Sequence, residues 1–575
     1  MPVFALLWCT PVASVAQALR PRIHGHGHVD VPSGKGHNLA AGLNFSDSWG
    51  DVAMNETPQW TVFEAALEAQ RDRQNALWDV RVDVEFVGPS GLRRTVEAFW
   101  DGGRTWRVRF CPDAPGEWNW QSACSDQNDA GLNGQGGSFQ CVPYDGHNAV
   151  YRGGPVRLSG DRRHFVHADG TPFFWLSDTA WNGALKSRQQ DWERYLRTRR
   201  EQEFTVVQFV CTHWRGGSTD REGETAFTGQ ERIHVNVEFF QRLDRKVWAV
   251  NENGLVVAPV MLWAYTEDDP GQALPEESAV RVLQYMVARW GACQVVWIVG
   301  GDGHYQGEKS ERWKRIGRQV FGQRHDRLVT MHPCGQSWVA DEFRGEPWFD
   351  FVGYQSGHGD SPDHLRWLAM GPPATDWLTE PARPIVNLEP NYEAFPAYYG
   401  KRPFTDREVR RAAYWSLLVS PPAGLSFGHN AIWVWAEGPA LPEGHEGIGT
   451  VGPWHEGLDT PGIRSMTVMR RFLDELPWWR LRPAPELLAR QPGEDEIEAF
   501  VAAAATDGGD LAVLYLPRGG AVSVRTETLK SPAVARWFDP RSGRWQGSCD
   551  VTQNPEDVAA PDEDDWLLVI RPAGP

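Results

Sequence analysis

Apolar runs alternate with amphipathic segments through the middle of the chain, from residue 150 to about residue 480. Eight short apolar runs occur there, namely PFFWLS, TVVQFVC, LVVAPVML, QVVWIVG, LVTMH, FDFVGYQ, PIVNLE and AGLSFG. Helical patterns lie between them, and in SAVRVLQYMVARW the apolar residues from Ala279 to Trp290 follow i, i+3, i+4, i+7 spacing. Eight strands alternating with helices over about 260 residues predict a (β/α)8 barrel at 150–480.

Shorter alternating patterns flank this region on both sides. Residues 58–145 contain runs such as VRVDVEFVG and WRVRF, and in the first of them Val82, Val84 and Phe86 share one face. This period of two, broken by Gly, Pro and Asp turns, predicts a small antiparallel β-sandwich. Residues 481–575 repeat the pattern in DLAVLYLP, AVSVRTE and DWLLVIRP. The predicted fold class is therefore α/β, a (β/α)8 TIM barrel flanked by N-terminal and C-terminal β-sandwich domains.

Residues 1–57 show no sustained period and are predicted to be a leader followed by an irregular extension. The start, MPVFALLWCTPVASVAQA, offers an apolar stretch that ends in Ala-Gln-Ala, as a signal peptide does, but it lacks a basic n-region. Secretion or periplasmic export and a cytoplasmic location both stay open. His24, His26 and His28 alternate with glycines, and we favour a mobile loop over a metal site for them.

Composition narrows the ligand class. The net charge of -18 disfavours nucleic acid as a partner, because phosphate contacts need clustered Lys and Arg. No apolar run approaches the roughly 18 residues that span a bilayer, so no membrane partner is expected. The 30 Trp favour a sugar ligand, because sugar rings stack on indole faces, although most of these side chains are expected to fill cores. Eight scattered Cys without a CxxC pair indicate neither a disulfide scaffold nor zinc; a pairing among Cys111, Cys124 and Cys141 stays open.

The ends of the eight apolar runs supply candidate site residues, because reactive groups of such barrels sit where strands end and loops begin. Imidazoles and aromatic rings there can bind sugar hydroxyls and ring faces or tune the pKa of nearby carboxylates. The predicted substrate-binding residues are Asp178, Trp181, His213, Trp214, Trp263, His332, Tyr354, Gln355, His358 and His429. No cofactor is predicted. A zinc site on these histidines is disfavoured because no HExxH spacing is present.

Two carboxylates are the predicted catalytic pair. Breaking a glycosidic bond needs an acid for the leaving oxygen and a second carboxylate at the oxocarbenium-like carbon. Asp302 follows a strand and two glycines that would let a substrate approach the backbone, and its alternative role is to cap the next helix. Glu389 ends a buried strand, where a carboxylate is costly unless it is hydrogen-bonded or functional. Glu393 is the alternative to Glu389. Strands four and seven face each other across the barrel, as a retaining pair requires.

Four segments carry a family resemblance. HFVHADGTPFFWLSDTAW, VVWIVGGDGHY, FVGYQSGHGD and NLEPNYEAFP resemble the motifs of glycoside hydrolase family 140, the apiosidase-like barrels also catalogued as domain of unknown function 4038. The segment from Val82 to Trp120 resembles the N-terminal sandwich that precedes such barrels, and the tail after LPWWRLRP resembles a collagen-binding-like module. The chain departs from the wider group of related barrels, in which an Asn-Glu pair ends strand four.

The resemblance implies a retaining hydrolase with Asp302 as acid/base and Glu389 as nucleophile. It also implies cleavage of apiose linked to galacturonic acid in the pectin rhamnogalacturonan II. We therefore expect a retaining glycoside hydrolase that acts on an oligo- or polysaccharide from plants or microbes. The alternative is a non-catalytic carbohydrate-binding or matrix-adhesion protein, and the presence of both carboxylates argues against it. An inverting glycosidase or a lyase would differ in product stereochemistry.

Overall fold

The computed structural model describes residues 56–229, 231–322 and 326–573. The predicted leader, nearly all of the N-terminal extension and the histidines His24, His26 and His28 lie outside these ranges. The predicted fold class is confirmed: an eight-stranded parallel barrel stands between two β-rich regions. In the described ranges, no helix combines the length and apolar character needed to cross a membrane.

The N-terminal region contains two sheets packed face to face. Val82, Val84 and Phe86 alternate with polar residues and are fully buried between the sheets, where the Phe86 ring stacks on Phe110 at 4.1 Å. One sheet has five strands, in the order Glu56–Pro58, Gly136–Val142, Gly116–Cys124, Val82–Val87 and Arg93–Glu97. The other has three, in the order Phe63–Glu68, Thr105–Phe110 and Phe99–Trp100. Short helical turns follow at Ala76–Asp79 and Pro89–Gly91.

A short helix, Ala149–Gly153, and a three-stranded sheet lead into the barrel. The strands of that sheet are Val156–Leu158, Phe165–His167 and Pro172–Phe173. All seven cysteines of the described ranges are free thiols, Cys111, Cys124 and Cys141 among them.

The barrel strands are buried on both faces, as their continuous apolar runs predict. They are β1 (Trp175–Thr179), β2 (Val206–Val210), β3 (Val256–Trp263), β4 (Trp297–Gly301), β5 (Val329–Thr330), β6 (Val352–Gln355), β7 (Ile385–Glu389) and β8 (Gly424–Phe427). Each pairs in parallel with its neighbour in the order β5-β4-β3-β2-β1-β8-β7-β6. The ladder stops between β5 and β6, so the barrel is nearly closed. All eight C-terminal ends thus open on the same face.

Helices cover the outside of the barrel. The longer ones bury an apolar stripe against the strands, as Ala279, Val282, Leu283 and Met286 do in the helix after β3. Their bounds are Gly183–Lys186, Gln189–Glu201, Val237–Glu252, Pro270–Ala273, Glu276–Trp290, Glu308–Phe321, Ala340–Phe343, Pro362–Met370, Pro372–Asp376, Asp406–Leu418, Asn430–Val434 and Pro461–Asp474. A hairpin, Phe227–Thr228 with His234–Val235, extends the loop after β2, and 3-10 turns lie at Glu446–Ile448, Trp454–Leu458 and Trp478–Arg480.

The C-terminal region has a six-stranded and a two-stranded sheet. The six strands are, in sheet order, Leu481–Pro483, Ala502–Thr506, Ala512–Leu516, Trp566–Pro572, Ala533–Asp539 and Arg544–Val551. The two-stranded sheet pairs Ala521–Val524 with Glu556–Ala559, and 3-10 turns lie at Pro485–Leu487, Pro492–Glu494 and Ile497–Ala499.

The six-stranded sheet joins the barrel core. In its strand Trp566–Pro572, Leu567 and Val569 belong to the same apolar cluster as the barrel, whereas Leu568 and Ile570 face the two-stranded sheet. The junction also holds polar contacts: the buried Arg410 donates two hydrogen bonds to Asp565, at 2.8 and 2.9 Å. This bidentate pair fixes the orientation of sheet and barrel.

A second buried ion cluster ties the N-terminal sandwich to the barrel helices. Asp244 accepts hydrogen bonds from Arg109 of the sandwich at 2.8 Å, from Arg289 at 2.6 Å and from the Trp290 indole at 2.7 Å. Both guanidinium groups are almost fully buried. Arg109 also pairs with Glu64 at 2.7 Å and Arg289 with Asp101 at 3.0 Å, and Asp244 is the carboxylate that the two share.

Asp244→Asn should destabilise the protein by about 3–5 kcal/mol, because two buried guanidinium groups lose their shared counter-ion. Equilibrium unfolding in urea measures the change. Glu85→Gln, which removes an exposed partner of Arg93, is the control and should leave the midpoint nearly unchanged. Equal effects of the two substitutions would contradict the role given to Asp244.

Candidate active site

Two carboxylates meet at the C-terminal face of the barrel. Glu389 is the last residue of β7, and Asp302 follows directly after β4. One oxygen of each, together with a ring nitrogen of His332, lies within 4.8 Å of the others. Asp302 does not cap the following helix, which begins at Glu308 with Gly307 as its N-cap. The side chain of Asp302 is therefore available to a bound molecule.

An imidazole connects the pair. His332 follows β5, is 0% exposed, and places Nε2 3.3 Å from Glu389 and Nδ1 3.5 Å from Asp302. The geometry of these two contacts does not meet the criteria for hydrogen bonds, so His332 attracts the two carboxylates mainly through its charge. His358 Nε2 lies 3.1 Å from the other oxygen of Glu389. Glu389 is thus contacted by two imidazoles and Asp302 by one.

The surroundings separate the pKa values of the two carboxyl groups. Burial raises the pKa of Asp302, and the charge of Glu389 adds to this against the opposing His332. Burial acts in the same direction on Glu389, but His332 and His358 outweigh it and lower its pKa. Burial disfavours the charged form of His332, yet the two carboxylates outweigh it and raise its pKa to about 9. The site therefore holds an ionised Glu389 next to Asp302, which binds its proton more tightly. A nucleophile must be ionised and a general acid must be protonated, so these two states suit the two roles.

A pocket with about 420 Å³ of empty space opens above the pair. It is rich in aromatic rings, which offer flat faces to a sugar, and the indole of Trp263 packs against those of Trp181 and Trp214. The residues that line it are Trp181, Trp214, Arg215, Trp263, Asp302, Gln355, His358, Glu389, Tyr392, Phe395, Tyr398, Trp433 and His445.

Several polar atoms of this pocket lack a hydrogen-bond partner. In the described ranges they include Trp263 Nε1, Arg215 Nε, His358 Nδ1, Asp302 Oδ1 and Glu389 Oε2. Buried donors and acceptors are costly when unpaired. A ligand with many hydroxyl groups would satisfy both kinds, so this pattern indicates a polar, polyhydroxylated molecule.

A β-bulge decides which residue of β6 faces the pocket. The register between β6 and β7 shifts between Tyr354 and Gln355, which places Gln355 opposite Glu389. Gln355 consequently lines the pocket, whereas Tyr354 points outward and packs against Trp338 and Trp367. Bulges commonly re-aim side chains next to active sites.

The structure gathers most of the predicted binding residues: Trp181, Trp214, Trp263, Gln355 and His358 line the pocket, and His332 contacts both carboxylates. Four others lie elsewhere, so the prediction that they bind substrate needs correction. These are Asp178, His213, Tyr354 and His429.

Each of these residues has a structural role or neighbour outside the pocket. Asp178 is fully buried and pairs with Arg199 at 2.5 Å on the outer side of β1, because successive strand residues point to opposite faces. His213 packs on Phe227. The Nδ1 atom of His429 accepts a hydrogen bond from the Ala431 backbone and caps the short helix that follows β8; burial, then Arg199, lowers its pKa to about 4.

Two further expectations also change. Glu393 does not line the pocket; it accepts hydrogen bonds from Thr460 and from the Gly462 backbone at the start of a helix. The two glycines before Asp302 make room for protein side chains. A Cβ on Gly301 would lie 2.3 Å from the Trp263 ring, and one on Gly300 would lie 2.5 Å from the Tyr305 hydroxyl.

Six pocket residues were not predicted from the sequence: Arg215, Tyr392, Phe395, Tyr398, Trp433 and His445. All come from the segments after β2, β7 and β8, and Trp433 lies in the short helix Asn430–Val434. Tyr392 and Phe395 belong to the NLEPNYEAFP motif, which was a usable signal, and Arg215 directly follows the predicted Trp214. Tyr392 is held by the indole of Trp181, which donates to its hydroxyl at 3.0 Å.

Asp302, His332 and Glu389 also form the donor set with spacing suited to a divalent cation in the described ranges. Metal coordination requires a lone pair on a neutral imidazole nitrogen, however. The two carboxylates raise the pKa of His332 to about 9, so a divalent cation bound here would have to displace a proton from this ring.

The fold and these groups place the protein among the barrel glycosidases. More specifically, the chain belongs to the apiosidase-like catalytic domain family, which matches residues 159–480. Residues 56–125 match domain of unknown function 5060, and residues 483–571 match a collagen-binding-like domain family of a collagenase. No match is found among curated proteins.

Solved structures agree on the fold. A glycoside hydrolase aligns with a TM-score of 0.64 at 21% identity, covering 74% of this chain and 98% of its own. A member of glycoside hydrolase family 5 from Bacteroides vulgatus ATCC 8482 also has a TM-score of 0.64 and 21% identity, covering 74% of this chain and 95% of its own. At this identity the likeness concerns the fold alone.

Proposed function

We propose that the protein is a retaining glycoside hydrolase in which Asp302 is the acid/base and Glu389 the nucleophile. One observation carries the proposal: one oxygen of the Asp302 carboxyl group lies within 4.8 Å of one oxygen of Glu389 in an aromatic pocket. Retaining enzymes keep these groups about 5–5.5 Å apart, whereas inverting enzymes need about 6.5–9.5 Å to fit a water molecule. A resemblance to glycoside hydrolase family 140 agrees with this choice.

The reaction would proceed in two displacements. Asp302 gives its proton to the leaving oxygen while a carboxylate oxygen of Glu389 forms a bond to the anomeric carbon, and the glycosidic C–O bond breaks. Asp302, now ionised, removes a proton from water, which attacks the same carbon and releases Glu389. The contacts of His332 and His358 with Glu389 favour its ionised form.

For the substrate we propose apiose linked to galacturonic acid, as in rhamnogalacturonan II. Arg215 supports an acidic sugar. It lines the pocket, its guanidinium lies 4.2 Å from the centre of the Tyr265 ring, and it forms no ion pair with any carboxylate of the described ranges. A galacturonate carboxylate could take that place. An extracellular polymer as substrate would also agree with export of the chain, which stays a proposal.

Incubation with rhamnogalacturonan II fragments, followed by proton NMR of the first product formed, tests this function. The proposal predicts release of apiose with the anomeric configuration of the substrate. The opposite configuration would overturn the retaining mechanism, and release of a different sugar from a panel of pectic and hemicellulosic fragments would overturn only the substrate.

Arg215→Gln should lower kcat/KM for an apiosyl-galacturonate by about 10- to 100-fold, because a charged hydrogen bond contributes about 1.5–3 kcal/mol. For the matched substrate whose carboxylate is reduced to an alcohol, the same variant should show little loss of kcat/KM. Steady-state kinetics on the two substrates measures the difference, and an equal loss on both would show that Arg215 does not recognise the acid.

His332→Gln should move the pH profile of kcat/KM upward. His332 lowers the pKa of both carboxyl groups, so its removal raises the pH at which Glu389 becomes ionised and the pH at which Asp302 loses its proton. The acid limb and the basic limb should therefore both shift to higher pH. Initial rates with an aryl glycoside across the pH range measure the limbs, and a downward shift of either would contradict the bridging role.

A further inference from the structure

A second cavity lies between the segment after β1 and the helix Val237–Glu252. It holds about 690 Å³ of empty space, counted to include the open solvent at its mouth, and shares no residue with the active-site pocket. Its lining includes the C-cap residue Ser187 of the short helix Gly183–Lys186 and the Asp220 turn after β2. Its walls therefore come from elements that also support the barrel.

Positive charge predominates in this cavity. Five basic side chains line it, against Asp220 and Glu222, although the whole chain carries a net charge of -18. The basic residues are Arg188, Arg221, Arg242, Arg245 and Lys246. Two of them are neutralised, because Arg242 pairs with Asp220 at 2.6 Å and Arg221 pairs with Glu437 at 3.0 Å. In the described ranges, Arg188 and Arg245 form no ion pair with a carboxylate.

Lys246 gives the cavity a buried cation without a counter-ion. Lys246 is only 6% exposed. Its ammonium group donates hydrogen bonds to the backbone oxygen of Ser187 at 3.0 Å and to the Ser187 hydroxyl at 2.8 Å. An ammonium group has three donors, so one remains for a ligand. No carboxylate oxygen of the described ranges lies within 4.0 Å of Nζ. A buried ammonium group without a counter-ion is costly unless it loses its proton or gains an anion, so an anion bound in the cavity would stabilise the charged form of Lys246.

We propose that this cavity binds an oxyanion, a carboxylate, sulfate or phosphate group, through Lys246, Arg188 and Arg245. Protonated Lys246 supplies a positive charge at the bottom of the cavity, and the two exposed arginines can close over the anion from the rim. The site is separate from the catalytic pocket and does not depend on the function proposed for it.

Calorimetric titration of the full chain tests this site at constant ionic strength. The titrants are sodium sulfate, inorganic phosphate and glucuronate, with glucose as the neutral control. The protein carries Arg215→Gln, so that the catalytic pocket loses its unpaired guanidinium. We expect saturable binding of at least one anion and no binding of glucose. The anion that binds most tightly then shows whether the site prefers a sulfate, a phosphate or a carboxylate group. Loss of all anion binding in this background would place the anion in the catalytic pocket and overturn the proposal.

Two variants locate the binding. Lys246→Met should raise the dissociation constant of the bound anion about tenfold or more, because it removes a charged hydrogen bond. The surface double variant Arg188→Gln/Arg245→Gln does not touch the core and should raise it comparably, so the test survives even if Lys246→Met fails to fold. Unchanged affinity in the double variant would overturn the proposal.

Binding should also depend on pH. Burial, followed by the charge of Arg245, lowers the pKa of Lys246 to about 7. Arg221 also repels its ammonium, whereas Glu193 and Asp191 attract it, and Asp220, Glu222, Arg188 and Arg242 share the cavity. Carboxyl and guanidinium groups ordinarily keep their charge between pH 6 and 8, so Lys246 is the group whose charge changes. Sulfate should therefore bind more tightly at pH 6 than at pH 8. Equal affinity, or tighter binding at pH 8, would contradict the role of Lys246.

Discussion

Glu389→Gln should lower kcat on every glycoside by about 10⁴-fold or more, because no bond to the anomeric carbon can form and the remaining groups supply only binding and proton transfer. The fold should be unaffected, since the amide is nearly the same size and keeps one oxygen for His358. Circular dichroism and the urea midpoint check the fold, and steady-state kinetics with aryl glycosides measures the loss.

The neighbouring Glu393 provides a matched control. Its carboxylate receives hydrogen bonds from Thr460 and the Gly462 backbone away from the pocket, so Glu393→Gln should retain most of the activity while lowering stability. Azide offers an independent check. In Glu389→Ala it should restore turnover of activated substrates and give a glycosyl azide of inverted configuration. Activity retained in Glu389→Gln and lost in Glu393→Gln would reassign the nucleophile.

Asp302→Asn should lower turnover of substrates with poor leaving groups by about 10²- to 10⁴-fold, the range expected for general acid catalysis. Activated aryl glycosides should be spared in the first displacement, because their leaving groups need no proton. The measurement is a series of aryl glycosides with leaving groups of different acidity. The variant should show a much steeper dependence of kcat/KM on leaving-group acidity than the parent. An equal loss across the series would contradict the acid role.

The barrel could be predicted from the sequence because its strands are buried on both faces and therefore appear as unbroken apolar runs. The catalytic candidates followed from the same runs, since Asp302 and Glu389 stand at their ends. Side-chain direction could not be predicted in the same way. Asp178 and Tyr354 each occupy a strand, but their side chains point away from the pocket, and the bulge that turns Gln355 inward leaves no mark in the sequence.

The loops were harder still. Tyr398, Trp433 and His445 reach the pocket only because the long segments after β7 and β8 fold back over it. No periodicity predicts such a path, because loops are ordered by particular contacts rather than by a repeating apolar face. His429 was predicted to bind substrate, but a histidine after a strand can also cap the next helix, and His429 does so.

The continuity of the six-stranded sheet with the barrel core has a practical consequence for dividing this chain. Family borders near residue 480 describe where sequence similarity changes, but Leu567, Val569 and Tyr515 fill the same apolar interior as the barrel helices. A fragment cut there would leave Arg410 without Asp565, although Asp406 would remain, and would leave Trp415 without the Phe500 oxygen to which its indole donates. We therefore expect the smallest fragment that folds with an intact catalytic face to include the C-terminal region, because that region completes the apolar core of the barrel.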